Sequence, residues 1–122
     1  MAEIIDVKLL LINTLEEAFK YPIFLQGSLS DEDKYPENFF TYWNNDTSDG
    51  EFYDNQNNKT NWDLDLNFYS NDPTLVNTIF DSVKPTLRAV GFIVDGLGYD
   101  VFSDEKTHTG RGINLIYIQK VR

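Results

Sequence analysis

The clearest pattern along the chain is an alternation of apolar and polar residues over positions 61–70. Trp62, Leu64, Leu66 and Phe68 are separated by Asp, Asp and Asn. Because successive side chains of a β-strand point to opposite faces, the pattern predicts a strand with one buried and one solvated face, as in an antiparallel sheet. We expect these four apolar side chains to face the core and the two helices described next.

Two other segments show the spacing of amphipathic helices. Apolar residues recur every three or four positions in residues 3–20, and Tyr21-Pro22 ends this helix because the residue before a proline avoids the helical region. The second helix follows Asn71-Asp72-Pro73, which supplies a capping side chain and a proline at the first helical position. Pro85 lies inside it and should kink or divide it, and Gly91 should end it.

Shorter apolar runs predict further strands before the alternating one. Ile23–Leu25 is followed by a second, aromatic-rich run at residues 38–44. Asp49-Gly50 predicts a turn, with a short return strand at residues 51–53.

The C-terminal third predicts strands only. Residues 92–94 and 99–102 flank residues 95–98, a stretch typical of a hairpin turn, and residues 113–121 predict the strand that closes the sheet. The order of helix, strands, helix and strands favours a single domain, residues 1–122, of the α+β class. We expect two helices packed on one face of a mostly antiparallel sheet of about five to six strands.

Composition narrows the class of protein. The chain has 122 residues, of which 41% are hydrophobic and none is cysteine. A folded domain of this size buries roughly two-thirds of its unfolded surface. The lack of cysteine excludes disulfides, thiolate metal sites and thiol catalysis. No apolar run approaches the ~18–20 residues of a membrane span, and the acidic Met1-Ala2-Glu3 start does not predict a signal peptide.

The net charge of −10 is unevenly distributed. Between Ser28 and Asp72 there are eleven acids and two bases, whereas the rest of the chain carries nine acids and eight bases. Such a field repels nucleic-acid phosphates, so ordinary DNA or RNA binding is disfavoured. The alternative is that the charge serves only solubility.

No residue set forms a catalytic or metal-binding signature. His108 could join Asp104 and Glu105 at a metal, but a zinc site without a second His or any Cys is uncommon, so a hydrogen-bonded loop histidine is expected. Asp63 and Asp65 fit solvated positions on one strand face. We predict no catalytic, cofactor or metal site, and that the protein is not an enzyme.

The aromatic residues are concentrated in one part of the sequence. Ten of them fall between Tyr35 and Tyr69, within about 35 residues. They form either a thick aromatic core or, in part, a protein interface, where Tyr and Trp are enriched.

Residues 103–112 form the longest polar run, between two strand-like segments. A hairpin needs only about two to five loop residues. The run therefore predicts either an oversized loop or the ends of two long strands.

Several short words of the sequence are distinctive. They are Gln26-Gly27-Ser28-Leu29, Tyr35-Pro36, Phe39-Phe40-Thr41-Tyr42-Trp43-Asn44, Phe68-Tyr69-Ser70-Asn71-Asp72-Pro73, Ser103-Asp104-Glu105 and Thr107-His108-Thr109-Gly110-Arg111-Gly112. Together they resemble the minor tail, or tail completion, proteins encoded among the head–tail connector and tail genes of phages and prophages of Gram-positive bacteria. The resemblance covers nearly the whole chain, from the first helix to the last strand.

The resemblance implies a tail terminator. Such a protein forms a ring, commonly of six subunits, that caps the head-proximal end of a long non-contractile tail, stops tube polymerisation and offers the surface on which the head connector docks. The implied partners are further copies of the chain, the major tail tube protein and the head connector protein, without a membrane. The implied location is the virion tail, after assembly in the host cytoplasm. No catalytic residues carry over.

Two sets of residues follow as candidates within a ring. Residues 104–112 are expected to project from the sheet as a long loop or extended hairpin, with glycines that permit unusual backbone angles. Arg111 would hold a partner carboxylate in two hydrogen bonds, and His108 would orient the loop. The full set of candidate interface residues is Asp104, Glu105, Thr107, His108 and Arg111.

The second set consists of acids expected on loops, some of which face the channel of the ring. An acidic lining lets DNA pass without sticking, because phosphate repulsion removes the gain from counterion release. The candidate channel-facing acids are Asp31, Glu32, Asp33, Asp46, Asp49 and Glu51.

Three alternatives remain at the level of sequence. A neighbouring connector protein, such as a stopper, would differ only in its docking partner. An acidic DNA-mimic inhibitor would be monomeric and bind a basic protein tightly. A metal-dependent hydrolase would need a site built from His108 and carboxylates, and a chelator would abolish its activity.

Overall fold

In a computed structural model the chain is an α+β domain with two helices and a six-stranded sheet, as the sequence predicts. The structure describes residues 6–28, 35–53 and 56–120. In chain order the elements are α1 (Val7–Phe19), β1 (Ile23–Leu25), β2 (Asn38–Tyr53), β3 (Gln56–Ser70), α2 (Pro73–Ala89), β4 (Ile93–Val94), β5 (Tyr99–Val101) and β6 (Thr109–Lys120).

Both helices begin with an aspartate cap. The Asp6 carboxylate accepts a hydrogen bond from the Leu9 N–H at 3.1 Å, and the Asp72 carboxylate accepts one from the Thr74 N–H at 3.0 Å. These bonds satisfy backbone donors that lack a partner within the helix. Residue 3 lies outside the described residues, but the extended backbone of Asp6 shows that α1 begins at Val7, so the prediction of a helix from residue 3 is wrong at its start.

Pro85 does not divide α2, contrary to one of the two outcomes expected from sequence. Its side chain is exposed, so solvent reaches the backbone that loses a helical hydrogen bond there. The lost bond would have ended on the carbonyl of Asp81, four residues earlier, and Asp81 is exposed as well. Solvent therefore satisfies this acceptor, and the helix continues.

The sheet is mostly antiparallel. The strand order is β1-β2-β3-β6-β4, and β5 also pairs with β6. Among the described strand pairs, only β1 and β2 run parallel. In this strand order β6, the last strand of the chain, lies inside the sheet, with β3 on one side and the short strands β4 and β5 on the other. It does not form an edge of the sheet.

The predicted turn at Asp49-Gly50 and the return strand at residues 51–53 are wrong. β2 continues through Gly50, which pairs with Lys59, and ends only at Tyr53, which pairs with Gln56. A register shift lies between Asn44 and Asp46. The polar composition misled the prediction because alternation is required only where one face of a strand is buried. We call residues 44–53 and 56–64 of this β2–β3 hairpin the arm.

The predicted hairpin around residues 95–98 is also wrong. β4 and β5 do not pair with each other. β4 pairs with Ile116 and Leu115 of β6, and β5 pairs with residues 110–112 of the same strand. The two short strands thus share one partner strand. The glycines in the connection between them allow the chain to pass from residues 115–116 to residues 110–112 of β6.

The core lies between the helices and one face of the sheet, as predicted. Leu64, Leu66 and Phe68 are fully buried among residues of both helices, and Trp62 is half-buried against the same cluster. By the strand register, Phe39, Thr41, Asn67 and Tyr69 point to the opposite face. We call this second face, which the helices do not cover, the open face.

Candidate functional site

Residues 103–112 do not form one long projecting loop, in contrast to the expectation. Thr109 begins β6 and pairs with Ser70 of β3. Only residues 102–108 form a loop, and His108 at its end is buried. The sequence left two possibilities, an oversized loop or the ends of two long strands, and neither describes the whole run: residues 102–108 form a loop, whereas residues 109–112 belong to the long strand β6.

His108 fastens this loop to the segment that precedes β2. Its Nε2 lies 2.8 Å from the Pro36 carbonyl oxygen, and its Nδ1 lies 2.9 Å from the Thr107 hydroxyl. A carbonyl only accepts, so Nε2 carries a proton, and in the neutral ring Nδ1 accepts from Thr107. Rings of Tyr35 and Phe39 lie 6.3 and 5.9 Å from the imidazole. His108 is thus a hydrogen-bonded loop histidine, as expected, and its predicted role at an interface stays a prediction.

Arg111 is committed to bonds within the domain. Its Nε donates to the Leu97 carbonyl at 2.8 Å, and one Nη donates to the Gly98 carbonyl at 3.3 Å. The other Nη lies 3.3 Å from an Asp100 carboxylate oxygen. The guanidinium therefore holds the connection between β4 and β5 against β6, and each of its three nitrogens already has an acceptor on this chain.

The other predicted interface residues lie on the loop itself. The Glu105 N–H donates to the Ser103 hydroxyl at 3.2 Å, and the Glu105 carbonyl accepts from the His108 N–H at 3.1 Å. Thr107 is exposed and bonds only to His108 among the contacts described. Asp104 is exposed and lines a pocket considered below.

In the Gly110-Arg111-Gly112 segment, glycine is needed because a side chain would not fit, and not because the backbone adopts unusual angles. Neither Gly110 nor Gly112 has a positive φ. A Cβ at Gly110 would lie 2.6 Å from the Tyr69 ring, and one at Gly112 would overlap the Asn67 side chain. Their place on the open face is therefore set by large neighbours on β3.

The candidate channel acids fall into two groups. Asp31, Glu32 and Asp33 lie outside the described residues, as does the side chain of Glu51. Asp46 and Asp49 are exposed, but they lie on β2 rather than on loops, which corrects the expectation.

The register places Asp46 and Asp49 on opposite faces of the arm. Asp46 pairs with Asp63, whose side chain belongs to the open face, whereas Asp49 pairs with Thr60, on the face of Trp62. If one face of the arm lines a channel, only one of Asp46 and Asp49 in each subunit therefore faces that channel.

Carboxylates meet amides rather than cations on the open face. The Asn114 amide donates to Asp63 at 2.6 Å and to Asp65 at 3.2 Å, and the Asn45 amide lies 3.4 Å from Asp63. Such bonds offset the repulsion between neighbouring acids. Within residues 6–28, 35–53 and 56–120, no group of three or more His, Cys, Asp or Glu side chains could hold a metal ion.

A pocket of about 150 Å³ opens on the open face between the end of β1 and the loop of residues 102–108. Phe39 and Tyr69 face each other across β2 and β3, with ring centroids 5.2 Å apart. Burial raises the pKa of the Tyr69 phenol above its ordinary value of 10.0, and the negative charge of Asp104 acts in the same direction. Sequence reasoning missed this pocket, although Phe39 and Tyr69 are aromatic at positions that alternation assigns to the polar face.

Comparison with known proteins gives no relative: the chain matches no protein-family model and no curated protein sequence at a significant level. Among the described residues, neither helix has the length and apolar character needed to cross a membrane.

Proposed function

We propose that this protein is a structural component of a long-tailed phage, a terminator that caps the head-proximal end of the tail tube as a ring. The resemblance of its sequence words to minor tail proteins of Gram-positive phages is the basis of the proposal. In this role it stops polymerisation of the tube and presents the surface on which the head connector docks. The function needs interfaces rather than a reaction centre.

The structural observation that best supports the proposal is the outer edge of β2. β1 pairs only with residues 40–42 of β2, and no other described strand pairs with β2 on that side. From Trp43 to Ser48 the edge therefore offers backbone donors and acceptors to another chain. Addition of a strand at such an edge is a common mode of association between proteins.

The position of the edges suits a ring of identical subunits. β2 and β1 lie on one side of the sheet, and the short strands β4 and β5 lie on the other. Contact between two different edges is heterologous, and a heterologous contact closes into a ring when the rotation between subunits allows it. The same surface on both partners would instead give a two-fold dimer.

The acids of the arm are compatible with the passage of DNA. Asp46 and Asp63 lie on one face of the arm, and Asp49 lies on the other. Whichever face lined the channel would carry carboxylates, which repel phosphates and remove the gain from counterion release. The other face would then be available to the tail tube or the connector.

The experiment has a biochemical and a genetic arm. We expect the purified protein to assemble into rings, alone or on tail tubes, in native mass measurements and electron micrographs. Deletion of its gene from the phage or prophage that encodes it should give overlong tails without heads, and a plasmid copy should restore normal length. Normal tail length after deletion would overturn the proposal.

Two proline variants test the role of the free edge. The backbone N–H groups of Thr47 and Ser48 point to opposite edges of β2, so one of Thr47→Pro and Ser48→Pro blocks the free edge and the other removes a bond to β3. The variant that blocks the free edge should fold normally and fail to form rings. The variant that removes a bond to β3 should lower the free energy of unfolding. Rings formed normally by both variants would exclude this edge from the interface.

The acidic inhibitor alternative predicts a different outcome. A DNA mimic with a net charge of −10 would stay monomeric and compete with DNA for a basic protein. A monomer that displaces DNA from such a protein, together with normal tails in the deletion strain, would favour it over the terminator.

A further inference from the structure

The pocket on the open face is too small for a metabolite or nucleotide. Its volume of about 150 Å³ compares with roughly 300–1,000 Å³ for sites that hold drug-sized ligands. A cavity near 150 Å³ holds about one benzene molecule. The size therefore fits one side chain of a partner protein.

Four of the ten residues that line the pocket are aromatic. Tyr35, Phe39, Tyr69 and Phe102 all line the pocket. Tyr35 meets the edge of Phe39 at a centroid distance of 5.7 Å, and Phe39 stacks on Tyr69. Phe102 is 100% exposed, although a ring of this size is normally covered. The faces of aromatic rings carry negative partial charge and attract cations.

The polar groups of the pocket set the sign of its ligand. Asp104 lines the pocket, and no described residue forms an ion pair with it. Thr41 also lines it, and its buried hydroxyl lies near that of Tyr69 without the geometry of a hydrogen bond. A hydroxyl donates or accepts and does not discriminate between charges, whereas the Asp104 carboxylate favours a cation.

We propose that this pocket binds a lysine or arginine side chain presented by a partner protein. The alkyl part of the side chain lies against the rings, and its charged end meets the Asp104 carboxylate. Lysine and arginine carry long apolar stems that cover apolar surface while the charge stays near water. The inference does not depend on the proposed terminator function.

The charge of the whole chain favours a basic segment of another protein over a second copy. At a net charge of −10 the chain attracts a basic segment over several ångströms and associates with it faster, whereas the sheet edges, and not this pocket, are the surfaces proposed for contact between copies. The loop that carries Asp104 and Phe102 is fixed by the bond from His108 to Pro36, so the site is formed before the partner arrives.

The test uses three acetylated and amidated five-residue peptides of glycine with a central lysine, arginine or norleucine. Binding to the whole ¹⁵N-labelled protein is followed by chemical shifts of the Thr41, Tyr69 and Asp104 amides. We expect saturable shifts with the lysine or arginine peptide and much weaker ones with norleucine. The better of the two cationic peptides identifies the preferred residue.

Variants assign the binding to the proposed contacts. Asp104→Asn should raise the dissociation constant of the cationic peptide about two- to fivefold, and Phe102→Ala should raise it by a similar factor. Both side chains are exposed, so neither variant is expected to impair folding. Asp81→Asn, an equal charge change on the exposed surface of α2, serves as the control and should leave binding unchanged.

Four results would overturn the inference. They are equal binding of the norleucine peptide, no shifts with either cationic peptide, an equal loss of binding in Asp81→Asn, and self-association of the free protein that Asp104→Asn abolishes. The last result would assign the pocket to contacts between copies of this chain.

Discussion

His108 Nε2 donates a hydrogen bond to the carbonyl oxygen of Pro36, which lies 72 residues earlier in the chain, at 2.8 Å. The bond connects the end of the loop of residues 102–108 with the segment that leads into β2. The rings of Tyr35 and Phe39 pack beside it. The His108 side chain thus fixes the loop of residues 102–108, which lines the pocket on the open face, in position relative to the sheet.

His108→Ala should destabilise the fold by about 1–3 kcal/mol, because it leaves the partly buried Pro36 carbonyl without its donor. Thr107→Val is the matched control: it removes only the bond to Nδ1 at an exposed residue and should cost less. The free energy of unfolding is measured in urea. A cost for His108→Ala no greater than that for Thr107→Val would contradict the structural role.

Leu66→Ala should lower the free energy of unfolding by about 2–5 kcal/mol, since Leu66 is fully buried between the sheet and the helices. Ile118→Ala provides the comparison, because Ile118 lies on the open face and is 44% exposed. It should cost less than about 1 kcal/mol. Similar losses at both positions in urea denaturation would show that the open face is covered.

The elements that face the core could be predicted from the sequence. Alternation in β3 identified Leu64 and Leu66 as core residues because burial on one face imposes period two. Asp72 and Pro73 located the start of α2, because capping is decided by residues close together in the chain. Where one face of an element must be buried, the local sequence was sufficient to predict that element.

The arm and the short strands could not be predicted in the same way. Beyond Asn44, neither described helix packs against β2, so its sequence is not required to alternate. The Asp49-Gly50 sequence is typical of a turn, although both residues pair regularly with β3. β4 and β5 are too short to specify a partner by pattern. Arg111 of β6 bonds the Leu97 and Gly98 carbonyls in the connection between them, and these contacts over 14 and 13 residues are not visible in the pattern of either short strand.

The candidate site was predicted only in part. The role of His108 as a hydrogen-bonded loop residue agrees with the structure, but its partner Pro36 is set by tertiary packing. The pocket also depends on adjacency, because Phe39 and Tyr69 meet only when β2 and β3 pair. A pairing register cannot be read from either strand alone.

Arg111→Ala should cost about 1–2 kcal/mol, because the Leu97 and Gly98 carbonyls lose a charged donor. Asp100→Asn removes only the ion pair, in which Asp100 is 90% exposed, and should cost no more than about 0.5 kcal/mol. Urea denaturation measures both. If Arg111→Ala folds with normal stability and yet abolishes ring assembly, Arg111 acts at an interface instead.

Gly110→Ala should destabilise the domain by about 1–3 kcal/mol through overlap of the new methyl group with the Tyr69 ring. Because the backbone angle at Gly110 is ordinary for any residue, the cost is steric. Tyr69→Ala removes the nearer of two obstacles, the other being the Val101 side chain at 2.8 Å, so the double variant should be more stable than the sum of the two single effects predicts. Additive effects in denaturation experiments would refute overlap with the Tyr69 ring as a cause of the loss.

Tyr69 should make the protein less stable in alkaline solution. Burial raises its folded pKa above the ordinary 10.0, so the folded chain keeps a proton that the unfolded chain releases. Its contribution is complete below pH 10.0 and is lost as the pH rises through the folded pKa. Tyr69→Phe should therefore lose stability less steeply above pH 10.0, with a remaining slope from Tyr99, whose pKa burial also raises. The measurement is the urea midpoint between neutral and alkaline pH, and identical slopes for the two proteins would rule out a buried Tyr69 phenol.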